Sequence, residues 1–354
     1  MPTLFDPLRI GDLTLKNRIV MAPLTRSRSG TERTPGPLVA QYYAQRASAG
    51  LIISEATSVT PLGVGYADTP GIWSDEQVEG WKLTTRAVHD AGGLIFLQLW
   101  HVGRISDPVF LGGQPPVSAS PVAAKGEVSL LRPKRPYPTP RELSLEEIAG
   151  VVEAYRQGAE NAKRAGFDGV ELHGANGYLL DQFLQDGSNR RTDAYGGPIE
   201  NRARLMLEAV DAAISVFGAD RVGLHIAPRG DAHDMGDSNL SATFTYVAKA
   251  MRERGLAFLM ARERKGEDSL GPALKAAFGG VYIVNEGFDL AAGEAALAAG
   301  EADAVGFGKL FISNPDLPAR LKAGAPLNPW IAETFYSPGP AGYVDYPALE
   351  HSDA

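Results

Sequence analysis

Residues 144–173, SLEEIAGVVEAYRQGAENAKRAGFDGVELH, place a helix pattern directly before a strand pattern. Ser144 and Glu147 have the capping-box spacing that starts a helix, and apolar residues recur from Ile148 at intervals of three and four. Gly166 is a typical helix stop, and the apolar run Gly169–His173 has the length of a buried strand. The stretch therefore predicts one helix–strand unit of an α/β protein.

The same alternation repeats along the chain, and a second helix is predicted from near Pro198 to Gly218. Eight apolar runs have strand character: Ile19–Thr25, Leu51–Thr57, Leu94–His101, Gly169–His173, Val222–Ala227, Ala257–Arg262, Val281–Asn285 and Ala304–Gly308. Eight such runs favour a (β/α)8 TIM barrel, in which parallel strands close on themselves. We expect one domain spanning residues 1–354.

One connection does not fit the regular pattern. The segment Gly103–Arg141, after the third strand, is too long for an ordinary connection and is rich in proline and glycine. We expect it to form a lid over the barrel mouth. Its Arg132, Lys134 and Arg135 could meet the phosphates of a nicotinamide cofactor, although short charged stretches are usually solvated loops. The aromatic, proline-rich tail from Asn328 is expected to pack against the barrel.

Composition excludes several classes of function. The net charge of −8 disfavours nucleic acid and anionic membranes as partners, so a small molecule is expected. The chain has no cysteine, which rules out disulfides, iron–sulfur clusters and cysteine nucleophiles, and its histidines lack metal-ligand spacing. No metal is expected. Without a visible secretory signal or membrane span, we expect a cytoplasmic protein, monomeric or homodimeric.

Three polar residues follow the fourth predicted strand. His173 and Asn176 can both donate hydrogen bonds to one oxygen, and Tyr178 offers a phenolic proton. This set suits a substrate carbonyl that becomes an enolate. The alternative is that these residues merely form a turn after the strand.

Other strand ends also carry polar groups or glycine. Gln98 and Trp100 share one face of the third strand and could contact a ligand at the barrel mouth. The alternative is that Gln98 is a hydrogen-bonded amide and Trp100 a packed indole of the core. Asn285–Gly287 and Gly308 with Lys309 end the seventh and eighth strands, where barrels often bind phosphate. The alternative there is a structural turn.

These motifs resemble the Old Yellow Enzyme family of FMN-dependent ene-reductases over nearly the whole chain. The resemblance lies in Ala22-Pro23-Leu24-Thr25, Gln98-Leu99-Trp100-His101, the His173, Asn176 and Tyr178 set, Tyr195-Gly196-Gly197 with Asn201-Arg202, and Asn314-Pro315-Asp316-Leu317. It implies an eight-stranded barrel with FMN across its mouth. It also implies that residues near the isoalloxazine are Pro23, Leu24, Thr25, Ala56, Gln98 and His225.

The resemblance further assigns the phosphate and the substrate side. Phosphate contacts are expected from Asn285, Gly287, Gly308 and Lys309, and substrate contacts from Trp100, Tyr66 and Tyr336 together with His173 and Asn176. The family usually has arginine where this chain has Lys309 and His225. Lysine keeps a cation, but His225 replaces a fixed charge near the flavin N1 with an imidazole. We hypothesise that Arg262 restores that charge.

The reaction implied by the resemblance starts with NADPH or NADH, which reduces FMN. Hydride then goes to the β-carbon of an activated alkene such as an enone, maleimide or nitro-olefin, with Tyr178 as proton donor; nitro compounds and nitrate esters are further acceptors. A flavin-free, phosphate-binding barrel isomerase or aldolase, using Lys309 as Schiff-base amine or His173 as base, is the alternative.

Overall fold

A computed structural model describes residues 1–349 and shows a closed barrel of parallel strands. Each strand pairs with the next, and the last pairs with the first, with Phe307 opposite Met21. The barrel strands are β1 (Ile19–Met21), β2 (Leu51–Ile53), β3 (Ile95–Trp100), β4 (Gly169–Gly174), β5 (Val222–Ile226), β6 (Phe258–Arg262), β7 (Tyr282–Asn285) and β8 (Ala304–Phe307). The predicted (β/α)8 barrel is confirmed.

Helices connect the strands on the outside of the barrel. The α-helices in residues 1–349 are α1 (Pro37–Ala44), α2 (Asp75–Asp90), α3 (Leu145–Arg164), α4 (Leu179–Leu184), α5 (Ile199–Phe217), α6 (Leu240–Arg254), α7 (Gly271–Phe278), α8 (Leu290–Ala298), α9 (Lys309–Ser313) and α10 (Leu317–Ala323). Short 3₁₀ helices span Pro61–Gly63, Pro108–Phe110, Ala219–Arg221 and Ala332–Thr334. Both predicted helices are confirmed: Ser144 caps the start of α3 with both capping-box bonds, and Gly218 caps the end of α5.

The first strand is shorter than its apolar run. β1 ends at Met21, although the run continues to Thr25. The N–H of Ala22 still donates to the Phe307 carbonyl (3.0 Å), but Pro23 has no N–H to continue the ladder. Pro23, Leu24 and Thr25 therefore leave the sheet at the carboxyl end of the barrel.

The amino-terminal end of the barrel is filled. Phe96 and Phe258, whose ring centroids are 5.9 Å apart, occupy space that a side chain at Gly169 or Gly223 would need. The antiparallel hairpin Leu8–Ile10 with Leu13–Leu15 packs its buried side chains into the same cluster. The interior is thus a packed core at this end, and the chemistry belongs to the opposite end.

The long segment after β3 lies against the mouth of the barrel. Its Val128 and Tyr137 are buried in one cluster with Tyr66 and Trp100. Besides one 3₁₀ turn it contains the strand Val117–Ser118, which pairs with Arg141–Glu142; another short strand, Thr57–Ser58, pairs with β3. This placement over the mouth agrees with the predicted lid.

The tail packs against the barrel, as predicted, as far as residue 349. Tyr343 stacks on Tyr42 with ring centroids 4.1 Å apart, and Arg26 Nη2 donates to the Gly342 carbonyl (2.8 Å). Among residues 1–349, the helices fall short of the length and apolar character that a bilayer-spanning helix requires.

Candidate active site

The carboxyl ends of the strands bring most of the predicted site residues into one cavity of about 180 Å³. It is lined by Pro23, Leu24, Thr25, Ala56, Gln98, Trp100, His173, Asn176, Tyr178, Lys309, Ile312, Phe335 and Tyr336. The predicted residues Tyr66, His225, Asn285, Gly287 and Gly308 lie outside this lining. Residues far apart in sequence therefore meet here because parallel strands end at the same face.

His173 is a neutral donor. It lies on β4, and its Nδ1 accepts a hydrogen bond from the Ala175 N–H (3.4 Å), so the ring proton belongs on Nε2. Burial lowers the pKa of His173 well below its ordinary value, and the nearby His225 and Arg262 lower it further. At neutral pH the imidazole carries one proton, which Nε2 can donate.

Asn176 is held in an unusual backbone conformation. Its φ of 59° lies in the left-handed region, which asparagine tolerates better than most residues. Its Oδ1 accepts from Arg262 Nη1 (2.9 Å), and its backbone oxygen lies 2.7 Å from His233 Nδ1. The amide nitrogen has no hydrogen-bond partner among the described residues. Because Asn176 lines this cavity, its amide nitrogen is a candidate donor to a ligand bound there.

Tyr178 is a protonated phenol packed between aromatic rings. Its ring meets His173 and Trp100 edge-on, at centroid distances of 4.9 and 5.0 Å. Its hydroxyl forms a hydrogen bond of 2.9 Å with that of Tyr66. Withdrawal from water raises the pKa of Tyr178 above its ordinary value, although the Tyr66 hydroxyl acts in the opposite direction. The phenol therefore keeps its proton at neutral pH.

A buried polar network forms the floor of the site. Gln98 Nε2 donates to Glu171 Oε2 (2.7 Å) and lies 3.3 Å from His225 Nδ1. Burial raises the pKa of Glu171 to about 8, and burial together with Arg262 lowers the pKa of His225 to about 3. The sequence analysis missed Glu171. The signal was present, because residues 171 and 173 alternate onto the same face of a strand.

The floor suits the hydrogen-bonding edge of a flavin. His225 Nε2 and Trp100 Nε1 are buried without a hydrogen-bond partner in residues 1–349, which is costly unless a bound group supplies one. His225 is uncharged at neutral pH, so it places no fixed cation there. The Arg262 guanidinium is directed to Asn176 and to Glu286 (3.0 Å), and that carboxylate offsets part of its charge. Compensation by Arg262 stays a prediction.

The turns after β7 and β8 suit a phosphate. Glu286 and Gly287 have φ of 85° and 78°, and their backbone N–H groups, like that of Gly308, find no acceptor in the described part of the chain. Successive open N–H groups of this kind bind anions. Asn285 Nδ2 donates to the Gly306 carbonyl (2.7 Å) and so ties the two turns together. Lys309 is exposed beside them, with its ammonium over the Trp330 ring.

A second cavity of about 360 Å³ separates the lid from the catalytic cavity. Both cavities are lined by Thr25, Tyr178 and Tyr336, so they lie next to each other. Of the three lid cations, Lys134 pairs with Glu127 (3.3 Å) and Arg135 with Asp107 (3.5 Å). Within residues 1–349, Arg132 alone of these three has no acidic partner.

Open backbone N–H groups after β7 and β8, unpartnered polar groups on the floor and a protonated phenol on the wall together fit a flavin-dependent oxidoreductase. The family comparison agrees. The chain belongs to the NADH:flavin oxidoreductase / NADH oxidase family, whose model matches residues 3–328. It is an NAD(P)H-dependent flavin oxidoreductase with FMN as its cofactor.

Individual relatives match over nearly their full lengths. The 12-oxophytodienoate reductase 2 of Arabidopsis thaliana is 43% identical over 361 residues, covering 98% of this chain and 96% of that protein. The old yellow enzyme homologue of Zymomonas mobilis is 44% identical with a TM-score of 0.96, covering 98% and 100%. Morphinone reductase in complex with tetrahydroNAD is 48% identical with a TM-score of 0.96, covering 100% and 99%. The resemblance to the Old Yellow Enzyme family is confirmed.

Within residues 1–349, no group of three or more His, Cys, Asp or Glu side chains could hold a metal ion.

Proposed function

We propose that this protein reduces the carbon–carbon double bond of alkenes activated by a carbonyl, imide or nitro group, with NADPH or NADH as the source of electrons. The observation that carries the proposal is the wall formed by neutral His173, the open amide nitrogen of Asn176 and protonated Tyr178. Relatives named as reductases of 12-oxophytodienoate and morphinone support it.

His173 and Asn176 bind the electron-withdrawing oxygen. Each contributes one N–H donor to the same cavity. As the alkene is reduced, negative charge grows on that oxygen, so both hydrogen bonds strengthen in the transition state. Because His173 stays neutral, it stabilises the enolate by donating a hydrogen bond and not by carrying a positive charge.

Tyr178 completes the reaction as the acid. Once reduced by NAD(P)H, bound FMN would supply hydride chemistry for the β-carbon, and the electron pair of the double bond would move onto the oxygen held by His173 and Asn176. The Tyr178 hydroxyl then gives its proton to the α-carbon, which yields the saturated product. The Tyr66 hydroxyl, 2.9 Å away, can donate to the phenolate that remains.

FMN binding is assigned to the floor and to the turns. Pro23, Leu24, Thr25, Ala56, Gln98 and His225 would meet the ring system, and Asn285, Gly287, Gly308 and Lys309 the phosphate. The open N–H groups and the buried unpartnered His225 Nε2 support this assignment. Trp100, Tyr66 and Tyr336 would shape the substrate side, where Tyr336 is 48% exposed.

The flavin-free isomerase or aldolase is disfavoured. A Schiff-base lysine requires desolvation or a neighbouring cation, and Lys309 is exposed to solvent. Family membership also argues for a flavin.

The test is anaerobic stopped-flow spectroscopy at flavin wavelengths. NADPH and NADH should each be mixed with the oxidised holoenzyme, and the reduced enzyme then mixed with an enone, a maleimide, a nitro-olefin, a nitroaromatic and a nitrate ester. We expect rapid reoxidation by the activated alkenes. If none of them reoxidises the flavin faster than buffer does, the proposed function is wrong.

A further inference from the structure

Asn176 can bind a substrate oxygen only in one of its two amide orientations. With Nδ2 facing the cavity it donates, and with Oδ1 facing the cavity it opposes the lone pairs of the substrate. The side-chain oxygen and nitrogen have nearly the same shape, so packing alone selects neither orientation. Something must therefore fix the amide.

The contact that can do this comes from Arg262, two strands away on β6. Its Nη1 lies 2.9 Å from Asn176 Oδ1. A guanidinium has donors and no acceptor, so the amide atom that it contacts must be the oxygen. The nitrogen is left facing away from Arg262, and the Asn176 side chain lines the catalytic cavity.

Arg262 is itself fixed by Glu286, in the turn after β7. Its Nε lies 3.0 Å from Glu286 Oε2, and Arg264 binds the other carboxylate oxygen (3.2 Å). The Arg262 side chain is 40% exposed, so this ion pair adds little to stability. Its effect is geometric, because two contacts to one rigid guanidinium restrict where Nη1 can point.

We propose that Arg262 is a positioning residue that sets the amide orientation of Asn176, with Glu286 holding the guanidinium. The inference rests on the proposed function, since it concerns the oxygen that Asn176 binds. The Ala175 N–H, which leaves the His173 proton on Nε2, acts in the same way. The two groups that donate hydrogen bonds to the substrate oxygen, His173 and Asn176, are thus oriented before the substrate binds. Each is oriented by a neighbouring group that can only donate a hydrogen bond.

This role differs from charge compensation near the flavin. If Arg262 acts through its charge, its removal lowers the flavin midpoint potential whether or not Asn176 is present. If it acts through Asn176, its removal has no further effect once the Asn176 amide is gone. A double-mutant cycle separates the two.

The experiment uses the oxidised holoenzyme and 4-chlorophenol, whose phenolate oxygen stands in for the enolate oxygen. Calorimetry would give the binding constant for wild type, Arg262→Met, Arg262→Lys, Asn176→Ala and Arg262→Met/Asn176→Ala. We expect Arg262→Met and Asn176→Ala each to bind about 10- to 100-fold more weakly, as for loss of a hydrogen bond to a charged group. The double variant should bind no more weakly than Asn176→Ala.

Two controls make the result decisive. Arg262→Lys keeps a donor for Oδ1 and should restore most of the affinity, while Glu286 keeps Arg264 as a partner in every variant. The flavin midpoint potential should be equal in wild type and Arg262→Met. Additive losses in the cycle, wild-type affinity in Arg262→Met, or a lowered potential would each overturn the positioning role. If Asn176→Ala binds the phenol as wild type does, the oxygen-binding role of Asn176 fails; if the wild type itself reduces no activated alkene, the proposed function fails whatever the cycle shows.

Discussion

Two sides of the barrel mouth are built in different ways. The proposed catalytic wall, formed by His173, Asn176 and Tyr178, uses buried and half-buried side chains, each oriented by a named neighbour. The phosphate rim, formed by Gly287, Gly308 and Lys309, uses open backbone N–H groups and one exposed ammonium. Under the proposed function, the wall has to hold reacting atoms in place, whereas the rim only has to bind an anion.

The difference predicts different mutational behaviour. Replacing a wall residue removes a hydrogen-bond donor that its neighbours hold in a fixed orientation, so the rate of alkene reduction should fall steeply. Replacing the rim cation leaves the backbone donors in place, so only affinity should change, and salt should mask the change.

The largest effect is expected for Tyr178→Phe. Alkene reduction should slow by about 10²–10⁴-fold, the usual contribution of a positioned general acid. Flavin reduction by NAD(P)H should be nearly unchanged, because it needs no proton from Tyr178. Stopped-flow measurement of each half-reaction checks this. Tyr66→Phe is the matched control and should cost about tenfold, for one lost hydrogen bond; equal losses in both half-reactions of Tyr178→Phe would refute the assignment.

His173→Ala comes next, with about 10²–10³-fold slower alkene reduction, as for loss of an oxyanion donor. Because burial holds the pKa of His173 below its ordinary value, the imidazole stays neutral as the pH falls through about 6.5. The ratio of wild-type to variant rate constants should therefore be the same at about pH 6 and pH 7. A ratio that changes with an apparent pKa near 6.5 would show that His173 titrates normally.

Glu171→Gln tests the raised pKa of Glu171, in the floor of the site, through the pH dependence of the unfolding free energy. The folded pKa of about 8 lies above the unfolded value of 4.5, so this carboxyl binds more protons when folded, and its contribution is lost as the pH rises toward 8. Between about pH 6 and pH 7, wild type should lose about 1.4 kcal/mol of unfolding free energy relative to Glu171→Gln. Denaturant titrations of both proteins at each pH measure this. If the unfolding free energies of the two proteins changed with pH in the same way, the raised pKa of Glu171 would be contradicted. Glu55 is also buried, but it is present in both proteins and cancels in the comparison.

The smallest effect is expected at the rim. Lys309→Ala should weaken FMN binding by about three- to tenfold at low salt, and the difference should shrink at high salt because the ammonium is exposed. Lys309→Arg should bind as wild type does. Titration of apoprotein with FMN at two ionic strengths provides the test, and a loss that persists undiminished at high salt would place Lys309 in a shielded site.

Sequence patterns were sufficient for the scaffold. Apolar runs and the Ser144 capping box predicted the barrel strands and α3 because burial and capping are local properties of the chain. The wall residues could be found because strand ends share one face of a barrel. The contact between Tyr66 and Tyr178 could not, since it joins two loops 112 residues apart.

The supporting residues were harder to find than the wall itself. Arg262 was proposed for its charge, yet its observed contacts are with Asn176 and Glu286. Glu286 reaches Arg262 from a turn with φ of 85°, and His233 reaches Asn176 from the loop after β5. Both depend on loop conformations that residue type and spacing do not determine.

The filled amino-terminal end of the barrel has a kinetic consequence. Phe96, Phe258 and the Leu8–Leu15 hairpin fill one end of the barrel, so within residues 1–349 the candidate site is reached from the opposite, lid-covered end. Under the proposed function, the nicotinamide nucleotide and the alkene would both enter and leave on this side, one after the other. Each reactant at high concentration should therefore obstruct the other, and turnover should peak at intermediate levels of both.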